Sequence, residues 1–311
     1  MKIHIVGGGA IGLLHAGKLA QSGQEVIVWT RTETQAELLQ KEGIKLEALD
    51  GSVRNAALNS HSLSNLESVL AEDPEEPAWI LLTVKQSHID ELLVDRLKRL
   101  SGPHTAMLCL QNGIGHLDKL AHALPKLALY AGVTSEGARR IEENGVRHTG
   151  KGQLWFGPAN WDKKDENLQN LLLNVLQSAG FSVGLSNQMR DRIYQKLLIN
   201  AVINPLTAIF DITNGELPRH PSRIKLMQSL YQETSTILTA DSMMLAGDGW
   251  QLVLDVCEAT SANVSSMLSD VRSGRETEID WINGGISAVA KRHGIPSPLN
   301  DAVTALVKQL Q

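Results

Sequence analysis

The stretch KIHIVGGGAIGLL, residues 2–14, decides the fold. Its opening residues, KIHIV, are short and rich in β-branched side chains, which suits a strand buried on both faces. Glycines then occupy positions 7, 8, 9 and 12, and AIGLLHAGKLAQSG reads as a helix. Gly7, Gly9 and Gly12 therefore form a GxGxxG pattern between a strand and a helix, the context in which that pattern carries information. Gly7 permits a tight turn, Gly9 lets the backbone approach a pyrophosphate, and Gly12 lets helix and strand pack closely. The amide N–H groups of the first helical turn can then hold the anion. A plain strand–turn–helix is the alternative.

Outward from this loop the pattern repeats. EVIVW, AWILLTV and TAMLCL are further short apolar runs, with helical stretches such as TQAELLQKEG between them. KLEALD, Gly51 and SVRNAAL read as a hairpin on an edge. YAGVTSEGARRIEENGVRHTG and KGQLWFGP read as strands around a turn at Glu143–Gly145. Residues 1–186 are thus expected to form a doubly wound α/β, Rossmann-type domain. Beyond a polar junction near Ser186–Arg190 the periodicity becomes helical. RIYQKLLINAV, SRIKLMQSLYQETSTILTADSMMLA, GWQLVLDVCEATSANVSSMLSDVRSG and ETEIDWINGGISAVAKRHG are each read as helix, giving an all-α domain over residues 187–311.

Three strand ends point to ligand contacts, because ligands of open α/β sheets sit outside the carboxyl ends of the strands. EVIVW ends in Thr30–Arg31–Thr32, with no acid before Glu33. A carboxylate there would favour NAD, whereas a guanidinium suits a 2′-phosphate, so NADP(H) is expected. Lys85 just past LLTV could meet a phosphate, and Asn112 just past LCLQ could orient a nicotinamide or a substrate. A solvated surface charge for Arg31, and an ordinary loop position for Lys85 and Asn112, are the alternatives.

The helical half holds its own anomaly, YQKLLINAVINPLTAIF, residues 194–210. Lys196, Asn200 and Asn204 recur every fourth residue and share one face. Residues 197–210 carry no charge, and their only polar side chains are Asn200, Asn204 and Thr207. A solvated face normally carries more charge, so the segment reads as buried and its amides need partners. Gln188 and Arg192 extend the stripe as a solvated face would. Ser266, Glu278 and Asp280 are candidates for the same polar region, although charged residues are common on any helix. Reduction of a ketone by hydride needs a proton donor, and a desolvated Lys196 would be a good acid, its shift opposed by a nearby Glu.

The totals exclude other classes. The chain has 311 residues and a net charge of −5, which leaves no basic footprint for nucleic acid. Two isolated cysteines, Cys109 and Cys257, make no disulfide framework, so a reducing cytoplasm is expected. No metal-ligand spacing occurs, and no apolar run reaches the roughly 18–20 residues of a membrane span. A homodimer is compatible with the sequence without being specified by it.

With these residues in hand, the chain resembles the ketopantoate reductase family. GGGAIG, WTR, TVK, QNGIG, GARR, QKLLINAVINPLTAI, NGELPRHP and SSMLSDVRSGRETEIDWINGG fall in that family's order. The resemblance implies NADPH-dependent reduction of 2-dehydropantoate to (R)-pantoate, on the way to pantothenate and coenzyme A. It implies catalytic roles for Lys196, as proton donor, and Glu278. Cofactor contacts are implied for Gly7, Gly8, Gly9, Ala10, Ile11, Gly12, Arg31, Lys85, Asn112, Ala138 and Glu278. Substrate contacts are implied for Asn112, Lys196, Asn200, Asn204, Asn214, Ser266, Met267, Leu268 and Ser269. The chain departs from the family at His88, where Gln is frequent. The partner implied is a small 2-oxo acid. A related dehydrogenase acting on another 2-oxo acid, and an NADP-sensing regulator without turnover, are the rival readings.

Overall fold

The computed structural model describes residues 1–72, 79–159, 165–244 and 247–311. Ala78, Leu245 and Ala246, which the sequence reading placed in a strand and a helix, lie outside them. The chain divides into two compact units. One comprises Met1–Gln111 and His116–Met189, the other Asn112–Gly115 and Arg190–Gln311.

Among the described residues the first unit carries twelve strands: β1 (Lys2–Val6), β2 (Glu25–Thr30), β3 (Ile44–Glu47), β4 (Val53–Ala56), β5 (Asn59–Ser62), β6 (Trp79–Leu82), β7 (Ala106–Cys109), β8 (Ala128–Thr134), β9 (Gly137–Arg140), β10 (Gly145–Gly150), β11 (Leu154–Pro158) and β12 (Val183–Leu185). Its helices are α1 (Ala10–Gln21), α2 (Glu33–Glu42), α3 (Leu66–Glu72), α4 (Glu91–Leu100), α5 (His116–Ala123) and α6 (Glu166–Ser178). Eight strands form the main sheet in the order β12-β11-β8-β7-β6-β1-β2-β5. Its pairings are parallel except that of β8 with β11. The chain leaves β1 for β2 on one side and later returns to β6 on the other, so the glycine loop sits at the switch point of the sheet.

Alternate residues of these strands enter two separate cores. Ile3, Ile5, Val26, Val28, Trp79, Leu81 and Leu108 pack with α1 and α6. Ile27, Trp29, Ile80, Leu82, Met107 and Cys109 pack with α4 and α5. Both faces are covered, which is why the strands read as continuous apolar runs. A second sheet, β4-β3-β10-β9, contains the antiparallel β3–β4 hairpin expected at an edge. Its Ile44, Leu46 and Val146 share the α1 core.

The second unit is helical: α7 (Met189–Phe210), which begins at the last residue of the first unit, α8 (Pro221–Ala240), α9 (Gly249–Ala259), α10 (Ser266–Arg272), α11 (Asn283–His293) and α12 (Pro298–Lys308). Three helices are shorter than the sequence suggested, each for an identifiable reason. α8 stops at Asp241, whose carboxylate receives Tyr194, Arg190 and His293 instead of continuing the turn. The segment read as one helix from Gly249 to Gly274 is broken between α9 and α10. There Ser265 accepts the Leu268 amide as the cap of α10, and the Thr/Ser/Asn cluster competes with the helix. The residues 276–282 are not helical, and the Trp281 carbonyl receives the Ile114 amide.

α7 lies between two cores. Leu197, Leu198 and Ala201 enter one, and Val202, Ile203 and Leu206 the other. Its length and composition would suffice to cross a membrane, but 61% of its most apolar window is buried inside the protein, as in a core helix. Pro205 sits within it without ending it. Proline has no N–H to give the carbonyl four residues back, that of Ala201. The fully buried Asn283 side chain donates to the Ala201 carbonyl at 3.0 Å and takes the place of that bond. Asn283→Ala is therefore expected to destabilise the protein by about 1–3 kcal/mol in urea denaturation. In a Pro205→Ala background, which restores the backbone donor, the same change should cost measurably less.

Candidate active site

In the first unit the glycine loop is built as its spacing implies. A Cβ on Gly12 would lie 2.0 Å from the Gly7 carbonyl oxygen, and one on Gly7 would lie 2.7 Å from Thr83 Oγ1. Gly7 has φ +123°, which an L side chain rarely adopts. Gly9, by contrast, is exposed and has nothing within 4 Å of its Cβ direction. The loop is closed where it must pack and open where a phosphate would approach, with Gly9 at the N-cap of α1 and no side chain occupying the cap. These residues fit a pyrophosphate. Two side chains that the sequence reading did not single out hold the loop. Thr83 Oγ1 is 3.0 Å from the Gly7 carbonyl, and the buried Gln35 amide donates to the carbonyls of Gly8 and Glu143. No spacing pattern marks them, since both act through contacts distant in the chain.

Arg31 follows β2 and is exposed; its guanidinium lies 3.3 Å from the His88 ring. Lys85, half-buried, opens the short turn Gln86–His88 after β6. Ala138 lies in β9 of the second sheet and packs against the α1 core.

In the second unit Lys196 is half-buried on α7. Burial lowers its pKa to about 8, and the negative charge of Glu278 opposes that shift. Glu278, also half-buried, accepts a hydrogen bond from Asn112 Nδ2 at 2.8 Å. This contact explains why Asn112–Gly115 belongs with the helical unit although β7 precedes it. Gly113, at φ +80°, lets the loop press against the Trp281 carbonyl, 2.4 Å from where a Cβ would stand. Lys196, Glu278 and Asn112 thus form one electrostatically connected group. Asn200 is half-buried and Asn204 buried, and neither carboxamide bonds another described residue. An amide so placed is open to a ligand.

Other expected residues are placed differently. Asp280 is exposed and paired with Lys308 at 2.6 Å, so it is a surface ion pair. Met267 and Leu268 put their side chains into the helical core, leaving only their backbone for a ligand. Ser266 is exposed and Ser269 half-buried. Asn214 donates to Thr260 at 2.9 Å and bridges two turns. Thr207 Oγ1 lies 2.8 Å from Ser265 Oγ, fastening the start of α10 to α7. Thr207 stood out in the sequence as the third polar residue of the uncharged segment, without a role attached.

A nucleotide-type glycine loop on a parallel sheet, with an acidified lysine among amides in a helical unit, defines a two-unit dehydrogenase of Rossmann type. Comparison narrows the class. The family model for ketopantoate reductase PanE/ApbA matches residues 3–161, and that for its C-terminal part matches residues 188–311. The 2-dehydropantoate 2-reductase of Shigella flexneri is 34% identical over 99% of this chain and 95% of its own length. That of Bacillus subtilis (strain 168) is 32% identical over 100% and 98%. A solved PanE/ApbA family ketopantoate reductase from Ralstonia eutropha JMP134 is 26% identical, with a TM-score of 0.88 over 100% of this chain and 98% of that one. D-Mandelate dehydrogenase, solved with NADH and anilino(oxo)acetate, is 26% identical with a TM-score of 0.89 over 100% and 98%. The chain belongs to the ketopantoate reductase family.

Substitutions separate the two kinds of glycine. Gly9→Ala is expected to leave the thermal midpoint unchanged and to weaken dinucleotide binding by about tenfold. Gly12→Ala, with no space for its methyl group, should lower the midpoint by several degrees as well.

Proposed function

We propose that this protein reduces 2-dehydropantoate to (R)-pantoate with NADPH, and that Lys196 supplies the proton. The observation that carries the reading is the lowered pKa of Lys196 beside Glu278, on a helix that is otherwise uncharged from residue 197 to 210. Gly7–Gly12, Arg31 and Lys85 would hold the dinucleotide. When bound, its reduced nicotinamide supplies the hydride.

The remaining chemistry falls to the protein. As C2 of the keto acid becomes tetrahedral, its oxygen gains negative charge, and the Lys196 ammonium stabilises that charge and delivers a proton to the oxygen. Burial makes Lys196 a stronger acid than a free lysine, and the Glu278 charge keeps it protonated near neutrality. Asn112, Asn200 and Asn204 would orient the substrate by hydrogen bonds. Ser266 and neighbouring amides would hold its carboxylate without a second cation. Free, buried Cys109 and Cys257 are compatible with a reducing cytoplasm.

The likeness to D-mandelate dehydrogenase favours a second reading, reduction of a different 2-oxo acid with NADH. A substrate panel that includes the 2-oxo acid of mandelate, assayed with both cofactors, separates the two.

Purified protein should oxidise NADPH rapidly with 2-dehydropantoate, and Lys196→Ala should lower kcat/KM by about 10²–10⁴-fold. The protonated lysine is the active form. The reduction rate should therefore hold below pH 8 and fall as the pH rises through about 8. Unchanged turnover in Lys196→Ala would remove the assignment of the proton donor. Binding of NADPH without turnover of any 2-oxo acid would favour a sensor.

A further inference from the structure

The contact between Arg31 and His88 was not foreseen from either residue alone. Arg31 follows β2, and His88 ends the short turn after β6. These two strands flank β1, so both side chains stand at the carboxyl ends of the strands that border the glycine loop. Arg31 Nη1 lies 3.3 Å from His88 Nε2. A guanidinium only donates, so at this distance the ring nitrogen is the acceptor and the ring is neutral at that atom.

Charged groups close to these two positions in the chain are Glu33 beside Arg31, Lys85 at the head of the turn, and Asp90 and Glu91 at the start of α4. Glu33 accepts from Asn65 at 2.6 Å, and Asp90 caps α4 through the Leu93 amide at 2.7 Å. The positive groups thus include a permanent guanidinium and an imidazole that is able to take up a proton.

We infer that His88 is a titrating member of the 2′-phosphate subsite and makes the preference for NADP(H) over NAD(H) depend on pH. This rests on the dinucleotide reading above. A 2′-phosphate draws the Arg31 guanidinium to itself. The His88 Nε2 atom, released from accepting, takes a proton and donates to the same anion. An amide at this position would donate at every pH, whereas His88 adds its charge only when protonated. The phosphate loses its own second proton near pH 6, so the imidazolium and the dianion coexist in a window around and just above that value. NAD(H), with a 2′-hydroxyl, gains nothing from the added charge.

The test measures dissociation constants of NADP⁺ and NAD⁺ for the full chain between about pH 6 and pH 8.5, in the wild type and in His88→Gln. His88 is exposed, so the variant should fold, and its thermal midpoint checks that it does. In the wild type the preference for NADP⁺ should shrink by about fivefold across this range relative to His88→Gln, while NAD⁺ affinity stays parallel in the two proteins. The proton NMR titration of the His88 ring gives an independent readout. Its midpoint should move to higher pH when NADP⁺ is bound and stay in place with NAD⁺. Identical pH profiles in the two proteins, or a His88 titration indifferent to NADP⁺, would overturn the inference while leaving the reductase reading intact. Failure of the wild type to bind either dinucleotide would remove both.

Discussion

A helix buried along much of its length must account for the polar groups it carries into the core. α7 meets that constraint at successive positions, and the second unit is organised by how it does so. At Pro205 the missing amide is replaced by the Asn283 side chain, which ties α11 to the middle of α7. At Thr207 the hydroxyl meets Ser265, which fixes where α10 begins. Lys196 is met by the charge of Glu278. The side-chain amides of Asn200 and Asn204 bond no other described residue. The same pressure that gives the fold its cross-links leaves a short run of donors and acceptors for a ligand to complete.

The first unit follows a complementary rule. Steric exclusion, rather than polar satisfaction, shapes the glycine loop. Gly7 is closed by Thr83 and Val84, and Gly12 by Gly7 and Thr83, while Gly9 stays open. Gln35 then joins the loop to the turn of the second sheet through two carbonyls, so the loop is held from outside its own strand and helix. Such support keeps backbone donors fixed before an anion arrives, which lowers the cost of ordering them on binding.

Much of this was legible in the chain. The glycine spacing and the apolar runs gave the parallel sheet, because a strand covered on both faces leaves a continuous apolar signature. The uncharged stretch after Lys196 announced a buried helix carrying polar groups. The polar segments around Thr260–Ser265 and Glu276–Ile282 were less transparent, and helical periodicity was extended through both. In the first, side-chain oxygens compete with the helix locally. In the second, a carbonyl is diverted to Ile114, more than a hundred residues earlier in the sequence, and periodicity cannot register that.

The sequence by itself determined which residue types were available and where the backbone needed special treatment: Gly7 and Gly12, Pro205, Lys196 at the head of the uncharged stretch, and Arg31 in place of an acid. These are local steric and charge properties, carried by the residue wherever it is placed. Only the tertiary structure decided their partners. It set Glu278 and Asn112 together, sent Asp280 outward to Lys308, turned Met267 and Leu268 into the core, and put His88 against Arg31. Those outcomes depend on distance in space, which a linear pattern does not encode, and they separate a binding group from an ordinary surface or core residue.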